Sequence, residues 1–164
     1  MKHWLASLAI VLSAVGGVSA VDEGPVAVPV PPPGPRPAAP PPEARYNEGL
    51  AHARRGEWNA AEAAYRDALR GRAAFPEAWN GLGYVLRHQG RYEESVRAYH
   101  EALRLAPDYP AALEYLGEAY VKMGRLDEAR ALLERLRALN APEAADLARA
   151  IGDAGKTSAP ASRW

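Results

Sequence analysis

Glycine recurs along this chain at a fixed interval, and that interval limits the possible folds more than any other feature. Two sets of three glycines are each spaced 34 residues apart: Gly49, Gly83 and Gly117, and Gly56, Gly90 and Gly124. A repeat of this length is the signature of a helical solenoid, in which each copy buries its apolar faces only by stacking on its neighbours. The interval therefore predicts an all-α chain built from stacked copies of one helical unit.

The middle copy, residues 76–109, indicates how one unit folds. Trp79, Leu82 and Leu86 fall on one face of a first helix. Pro76 suits the first turn of that helix, and Gly90 suits its end, where a left-handed residue is needed. A second apolar stripe between residues 92 and 106 indicates a partner helix.

Small residues stand where the two helices of the middle copy should meet. Gly83 lies on the inner face of the first helix and Ser95 on that of the second, so the two backbones are expected to approach closely. A bulkier side chain at either position should overpack this seam, at a cost of roughly 1–3 kcal/mol.

A known family pattern is carried by Trp79, Leu82, Gly83, Leu86, Ser95, Tyr99, Ala102 and Pro107. In this pattern the middle copy resembles a tetratricopeptide repeat. The third copy keeps it with Leu113 in place of the tryptophan, and the first copy departs most, with Arg45 there. The resemblance implies a right-handed α-solenoid of three tetratricopeptide-like helix pairs with a C-terminal capping helix.

These signals predict the domain organisation. First helices are expected near 43–55, 76–89 and 110–123, and their partners near 58–71, 92–106 and 126–139. The repeats would span about 42–75, 76–109 and 110–141, followed by a capping helix over 142–153, within a repeat domain of 43–153. Residues 154–164 are expected to form a disordered tail, whose Trp164 is either unstructured or a docking anchor.

The N-terminal segment has the features of an export signal. Lys2 precedes an apolar stretch, and small residues end at Ala20, as at a signal-peptide cleavage site. Residues 1–20 are therefore predicted to be a signal peptide, with an uncleaved membrane anchor as the alternative. Residues 21–42 are proline-rich and predict a semi-rigid linker, or alternatively a ligand for an aromatic groove.

Composition excludes several classes of function. Lysine and arginine number 20, as do aspartate and glutamate, so no net charge attracts nucleic acid or an anionic membrane. The chain has no cysteine, which removes disulfides, thiolate metal sites, a cysteine nucleophile and a lipid-modified N-terminal cysteine. The histidines do not have metal-ligand spacing, and no serine lies in a nucleophile elbow. We therefore expect no enzyme activity, no cofactor and no metal.

The resemblance also implies a binding surface, because first helices line the concave groove in this family. Carried over by repeat position, the groove residues are Tyr46, Asn47, Leu50, Arg54, Asn80, Tyr84, Arg87, His88, Glu114, Tyr115, Glu118 and Lys122. Arg54 and Arg87 make the first two copies of the groove basic, and Glu114 and Glu118 make the third copy acidic. This pattern does not match the lysines and asparagines with which some family members clamp a terminal carboxylate of the partner. A mixed-charge or partly basic peptide, or a helix, is the expected ligand.

The chain is therefore expected to be a non-catalytic protein-interaction adaptor of the cell envelope. The export signal and the alanine- and arginine-rich composition favour the periplasm, with secretion or membrane anchoring as alternatives. The predicted partner is a protein or peptide, and the chain is expected to be a monomer or to self-associate weakly. The alternative function is that of an assembly or accessory subunit or chaperone of an exported enzyme or envelope complex, or of a self-associating scaffold.

Overall fold

The computed structural model describes residues 39–157, and this part of the chain contains seven α-helices and no strand. The helices are α1 (Pro42–Arg54), α2 (Trp58–Gly71), α3 (Pro76–His88), α4 (Tyr92–Leu105), α5 (Pro110–Lys122), α6 (Leu126–Ala138) and α7 (Glu143–Thr157). The first six begin and end within about one residue of the predicted positions. The predicted signal peptide, almost all of the predicted linker and residues 158–164 lie outside the described residues.

The helices stack as antiparallel pairs in chain order. Helices α1 and α2, α3 and α4, and α5 and α6 form the pairs, and each pair packs on the next through α2–α3 and α4–α5. The backbones of the first helices also approach one another, α1 with α3 and α3 with α5, whereas within the described residues those of the second helices of successive pairs stay further apart. The first helices are thus closer together, which places α1, α3 and α5 on the inner side of a curved stack. The all-α solenoid predicted from the 34-residue interval is confirmed.

Left-handed glycines close the first helix of each pair. Gly56, Gly90 and Gly124 have φ angles of 72°, 76° and 72°. Around Gly90 the backbone amide of Arg91 donates to the carbonyl of Leu86 at 2.9 Å, and the Gly90 amide donates to an earlier carbonyl at 3.0 Å. These two bonds form a Schellman motif, which satisfies the last carbonyls of α3.

The seam between α3 and α4 is built around the missing side chain of Gly83. A Cβ at Gly83 would lie 2.6 Å from Cε1 of Tyr99, whose ring is fully buried on α4. Ser95 is also fully buried, and its hydroxyl donates to the carbonyl of Gly83 at 2.9 Å. The predicted close approach is present, and the structure adds its cause, since an aromatic ring fills the space that glycine leaves.

Helix α7 covers the end of the stack, as predicted, by packing on α5 and α6. Leu147 is fully buried, and its side chain occupies the space beside Gly117 that a Cβ would enter. The predicted end of α7 at residue 153 is wrong, because the helix continues to Thr157. Ala154 extends the inward stripe by three residues beyond Ile151, and Lys156 pairs with Asp153 at 2.9 Å, so the helical spacing persists.

Candidate functional site

The candidate site is the inner face of the stack, which α1, α3 and α5 form. Helices α1 and α3 run in the same direction, because residues near their starts meet and residues near their ends meet. The ring centroids of Tyr46 and Phe75 are 5.0 Å apart at the N-terminal ends, and those of Trp58 and His88 are 4.5 Å apart at the C-terminal ends. Positions along this face can therefore be assigned to an N-terminal end and a C-terminal end.

A pocket of about 250 Å³ opens between α1 and α3. Half of the predicted groove residues line it: Tyr46, Leu50, Arg54, Asn80, Tyr84 and Tyr115. Its other lining residues are Ala53, Tyr65, Glu77 and Gly81. Tyr46, Leu50 and Arg54 are spaced four apart on α1, which places their side chains above one another on a single face of the helix. We call this space the tyrosine pocket.

Aromatic rings form much of the pocket wall. Tyr65 reaches it from α2 and is 2% exposed, and its ring centroid lies 5.8 Å from that of Tyr46. The ring fits beneath Gly81 because a Cβ there would lie 2.6 Å from its Cζ atom. On the other side, the ring centroids of Tyr84 and Tyr115 are 5.5 Å apart. Tyr65 was not predicted as part of this surface, because only the first helices were expected to line it.

Two polar groups of α3 lie at the N-terminal end of the tyrosine pocket. Asn80 is 8% exposed, and its Oδ1 atom has no hydrogen-bond partner within residues 39–157. Glu77 lies one turn earlier, is exposed, and makes no ion pair with any residue of the described segment. The Glu77 carboxylate adds to the effect of burial in raising the pKa of Tyr46. Glu77 was not predicted, although its spacing of three from Asn80 is a signal that it shares that face.

The predicted gradient from basic to acidic residues along the groove is wrong at Arg87. Its guanidinium pairs with the Glu118 carboxylate at 2.9 Å, and the two side chains are 14% and 26% exposed. The Cζ atom of Arg87 also lies 5.6 Å from the ring centroid of Tyr84 and 5.7 Å from that of Tyr115. Arg87 and Glu118 therefore neutralise each other across α3 and α5. Arg54 makes no such pair in the described part of the chain and remains the exposed cation of the pocket.

Three aromatic rings cluster at the C-terminal ends of α1 and α3. The ring of His88 lies nearly parallel to that of Trp58, at an interplanar angle of 11°, and 4.4 Å from that of Tyr84 between centroids. Burial, together with the positive charge of Arg87, lowers the pKa of His88. The neutral ring is thus favoured, and His88 acts as part of an aromatic stack. Trp58 was not predicted as part of this surface.

The remaining predicted residues lie at the edges of the groove. Lys122 lines a second hollow, of about 580 Å³, between α5 and α7. Glu114 lies among other carboxylates, and burial, followed by the charges of Glu118, Asp146 and Glu143, raises its pKa to about 7. Asn47 is exposed and lines neither of these spaces.

Within residues 39–157 no group of three or more histidine or acidic side chains could hold a metal ion. In the same segment no helix is both long enough and apolar enough to cross a membrane.

Comparison with known proteins gives a family match for part of the chain. Residues 75–141 match the family model described as the tetratricopeptide repeat. No curated protein matches the chain at a significant level.

Several solved structures share the fold. The first tetratricopeptide domain of Spaghetti (RPAP3), bound to the HSP90 peptide SRMEEVD, has a TM-score of 0.64 and 20% identity, covering 70% of this chain and 93% of that chain. The TPR2B-domain:pHsp70 complex of yeast Sti1 has a TM-score of 0.65 and 15% identity, covering 71% and 97%. The type III secretion translocator chaperone SycD of Yersinia enterocolitica has a TM-score of 0.62 and 19% identity, covering 71% and 89%. At these identities the likeness shows the fold alone, which is the all-α helical repeat fold of tetratricopeptide proteins.

Proposed function

We propose that this chain is a non-catalytic adaptor that binds a peptide or a helix of a partner protein on its inner face. The observation that carries the proposal is the tyrosine pocket. It combines aromatic rings, a buried unpartnered acceptor on Asn80 and an exposed cation at Arg54 on one concave surface. Tyrosine and arginine are the residue types that most often dominate binding energy at protein interfaces.

The solved relatives support peptide binding as the kind of interaction. Two of them contain HSP90 or Hsp70 material bound to a tetratricopeptide domain. We do not transfer those ligands to this chain, because the groove lacks the family's basic clamp for a terminal carboxylate. The shared element is a concave face formed by the first helices.

The proposal extends to location. Residues 1–20 have the charge and apolar pattern of an export signal, so we place the adaptor in the cell envelope, in the periplasm. The role of an accessory subunit or chaperone is the second candidate, because SycD, a type III secretion translocator chaperone, has the same fold. A chaperone would hold its client on the same inner face.

Site-specific photocrosslinking in the native host tests the proposal. A photoreactive residue replaces Arg54 in the tyrosine pocket, and in a matched variant it replaces Arg137, an exposed arginine of α6 that lines neither the tyrosine pocket nor the second hollow. We expect a discrete adduct with one partner protein from the Arg54 position only. Fractionation and the mass of the mature chain report the compartment and any cleavage after Ala20. Equal adducts from both positions, or none from Arg54, would refute binding on the inner face.

A further inference from the structure

We infer that the tyrosine pocket receives an arginine side chain of the partner segment, with its guanidinium at the Glu77 and Asn80 end. This inference rests on the proposed function and specifies which chemistry the inner face recognises. It depends on three features of the pocket: its hydrogen-bond acceptors, its aromatic walls and the separation of its two charges.

The acceptors are positioned to receive several donors at once. Glu77 and Asn80 are three residues apart on α3, so their side chains are neighbours on one face of the helix. Asn80 Oδ1 is buried without a partner within the described residues, a state that a donor from a ligand would relieve. A guanidinium presents five N–H donors in a planar fork and can address a carboxylate and a neighbouring amide oxygen together.

The aromatic walls suit a flat cation. The structure already contains an example, because Arg87 lies over the rings of Tyr84 and Tyr115 at distances within the range of about 6 Å for a cation–π interaction. Tyr46 and Tyr65 provide further ring surface on the opposite wall, beside Glu77. The pocket therefore combines π surface with a carboxylate at its N-terminal end.

The two charges of the pocket fix the direction in which the ligand lies. Glu77 is in the first turn of α3, whereas Arg54 is the last residue of α1, and the two helices are parallel. The negative charge is thus at the N-terminal end of the pocket and the positive charge at its C-terminal end. An arginine of the partner would point toward Glu77, and an acidic neighbour of that arginine would be favoured near Arg54.

Other side chains fit the pocket less well. A leucine would leave the Asn80 acceptor unsatisfied, and a carboxylate would face Glu77. A lysine carries a compact ammonium, which lacks the planar fork of a guanidinium and stacks less well between rings. We therefore expect arginine to be preferred over lysine and over uncharged side chains of similar shape.

A peptide series tests this specificity on the purified full chain. The probes are capped seven-residue peptides of serine and glycine with one central residue: arginine, citrulline, lysine, leucine or glutamate. Binding is followed by the NMR shifts of the Gly49 and Gly81 amides, since both glycines contact the Tyr65 ring. We expect the arginine peptide to bind about tenfold more tightly than the citrulline peptide, which has the same shape without the charge.

Two variants connect the preference to the proposed acceptors. Glu77→Gln should weaken binding of the arginine peptide about fivefold. Glu134→Gln, which alters an exposed carboxylate of α6, should leave that binding unchanged. Asn80→Leu, which keeps a similar volume, should weaken binding of the arginine and citrulline peptides alike, because both donate N–H groups, while the circular dichroism spectrum and Tm show a folded chain.

The inference is overturned if the citrulline or leucine peptide binds as tightly as the arginine peptide, or if Glu77→Gln has no effect. A partner crosslinked at Arg54 whose affinity does not change in Glu77→Gln would overturn the arginine assignment and leave the proposed function standing. An arginine preference without a crosslinked partner would support the pocket chemistry and count against the adaptor function.

Discussion

Glutamate 114 should make the stability of this protein depend on pH near neutrality. Glu118 on the same helix and Asp146 and Glu143 on α7 surround it with negative charge, which Arg87 opposes. Burial is the larger cause of its raised pKa of about 7, compared with an ordinary value of 4.5. The Oε2 atom of Glu143 is buried without a hydrogen-bond partner in the described segment, so a proton on Glu114 gives the cluster a donor.

The sign follows from linkage between protonation and folding. Glu114 holds its proton more tightly in the folded state than in the unfolded state. The contribution of this proton to folding stability is therefore complete below about pH 4.5. It is lost as the pH rises through about 7. A shift of this size in a fully buried group would correspond to about 3 kcal/mol. Glu114 is only partly buried, and solvent screening reduces the expected effect to about 1 kcal/mol.

Glu114→Gln removes the titration and keeps the shape of the side chain. We expect the variant to be more stable than the natural chain by about 1 kcal/mol at pH 8, and to match it within error at pH 5. Urea unfolding, followed by circular dichroism at four pH values from 5 to 8, measures the difference. Glu134→Gln, at an exposed carboxylate, serves as the control and should show no such pH dependence. A difference between Glu114→Gln and the natural chain that stays constant from pH 5 to pH 8 would show that Glu114 does not titrate with a raised pKa.

Two further predictions concern packing. Gly83→Ala should destabilise the chain by roughly 1–3 kcal/mol, because its Cβ would meet the Tyr99 ring. Gly152→Ala, which has open space around it on α7, should be neutral or stabilising by up to about 1 kcal/mol. Thermal unfolding distinguishes the two variants, and equal effects would contradict the close approach of α3 and α4 at Gly83. Leu147→Ala should lower the free energy of unfolding in urea by about 2–5 kcal/mol, because it removes the fully buried side chain with which α7 packs beside Gly117. A decrease below about 1 kcal/mol would show that α7 does not cap the stack.

The architecture could be predicted because its determinants are local and repeated. The left-handed conformation of Gly90 and the burial of Ser95 each follow from residue type and position within one unit. The end of α7 was misplaced because glycines at 152 and 155 weaken the helix signal over its last two turns, while the contacts that extend it come from packing.

The details of the site were harder to predict because they depend on contacts between units. The Arg87–Glu118 pair joins residues on different helix pairs, and the repeat pattern does not specify which charged side chains meet there. The burial of Asn80 and the entry of Tyr65 into the pocket likewise follow from how closely the first two units pack. Repeat position could place a residue on the inner face, but it could not give the exposure or the partner of that residue.

The Tyr65 ring beneath Gly81 also makes the first junction between copies different from the second. The position equivalent to Gly81 in the third copy is Tyr115, and the equivalent of Tyr65 in the second copy is Tyr99, with the two ring centroids 6.3 Å apart. The junction of the second and third copies is thus filled by a side chain where the first junction is hollow. A shuffled chain that placed the third copy directly after the first would bring a tyrosine beside the Tyr65 ring and fill the tyrosine pocket, so the copies are not interchangeable in binding.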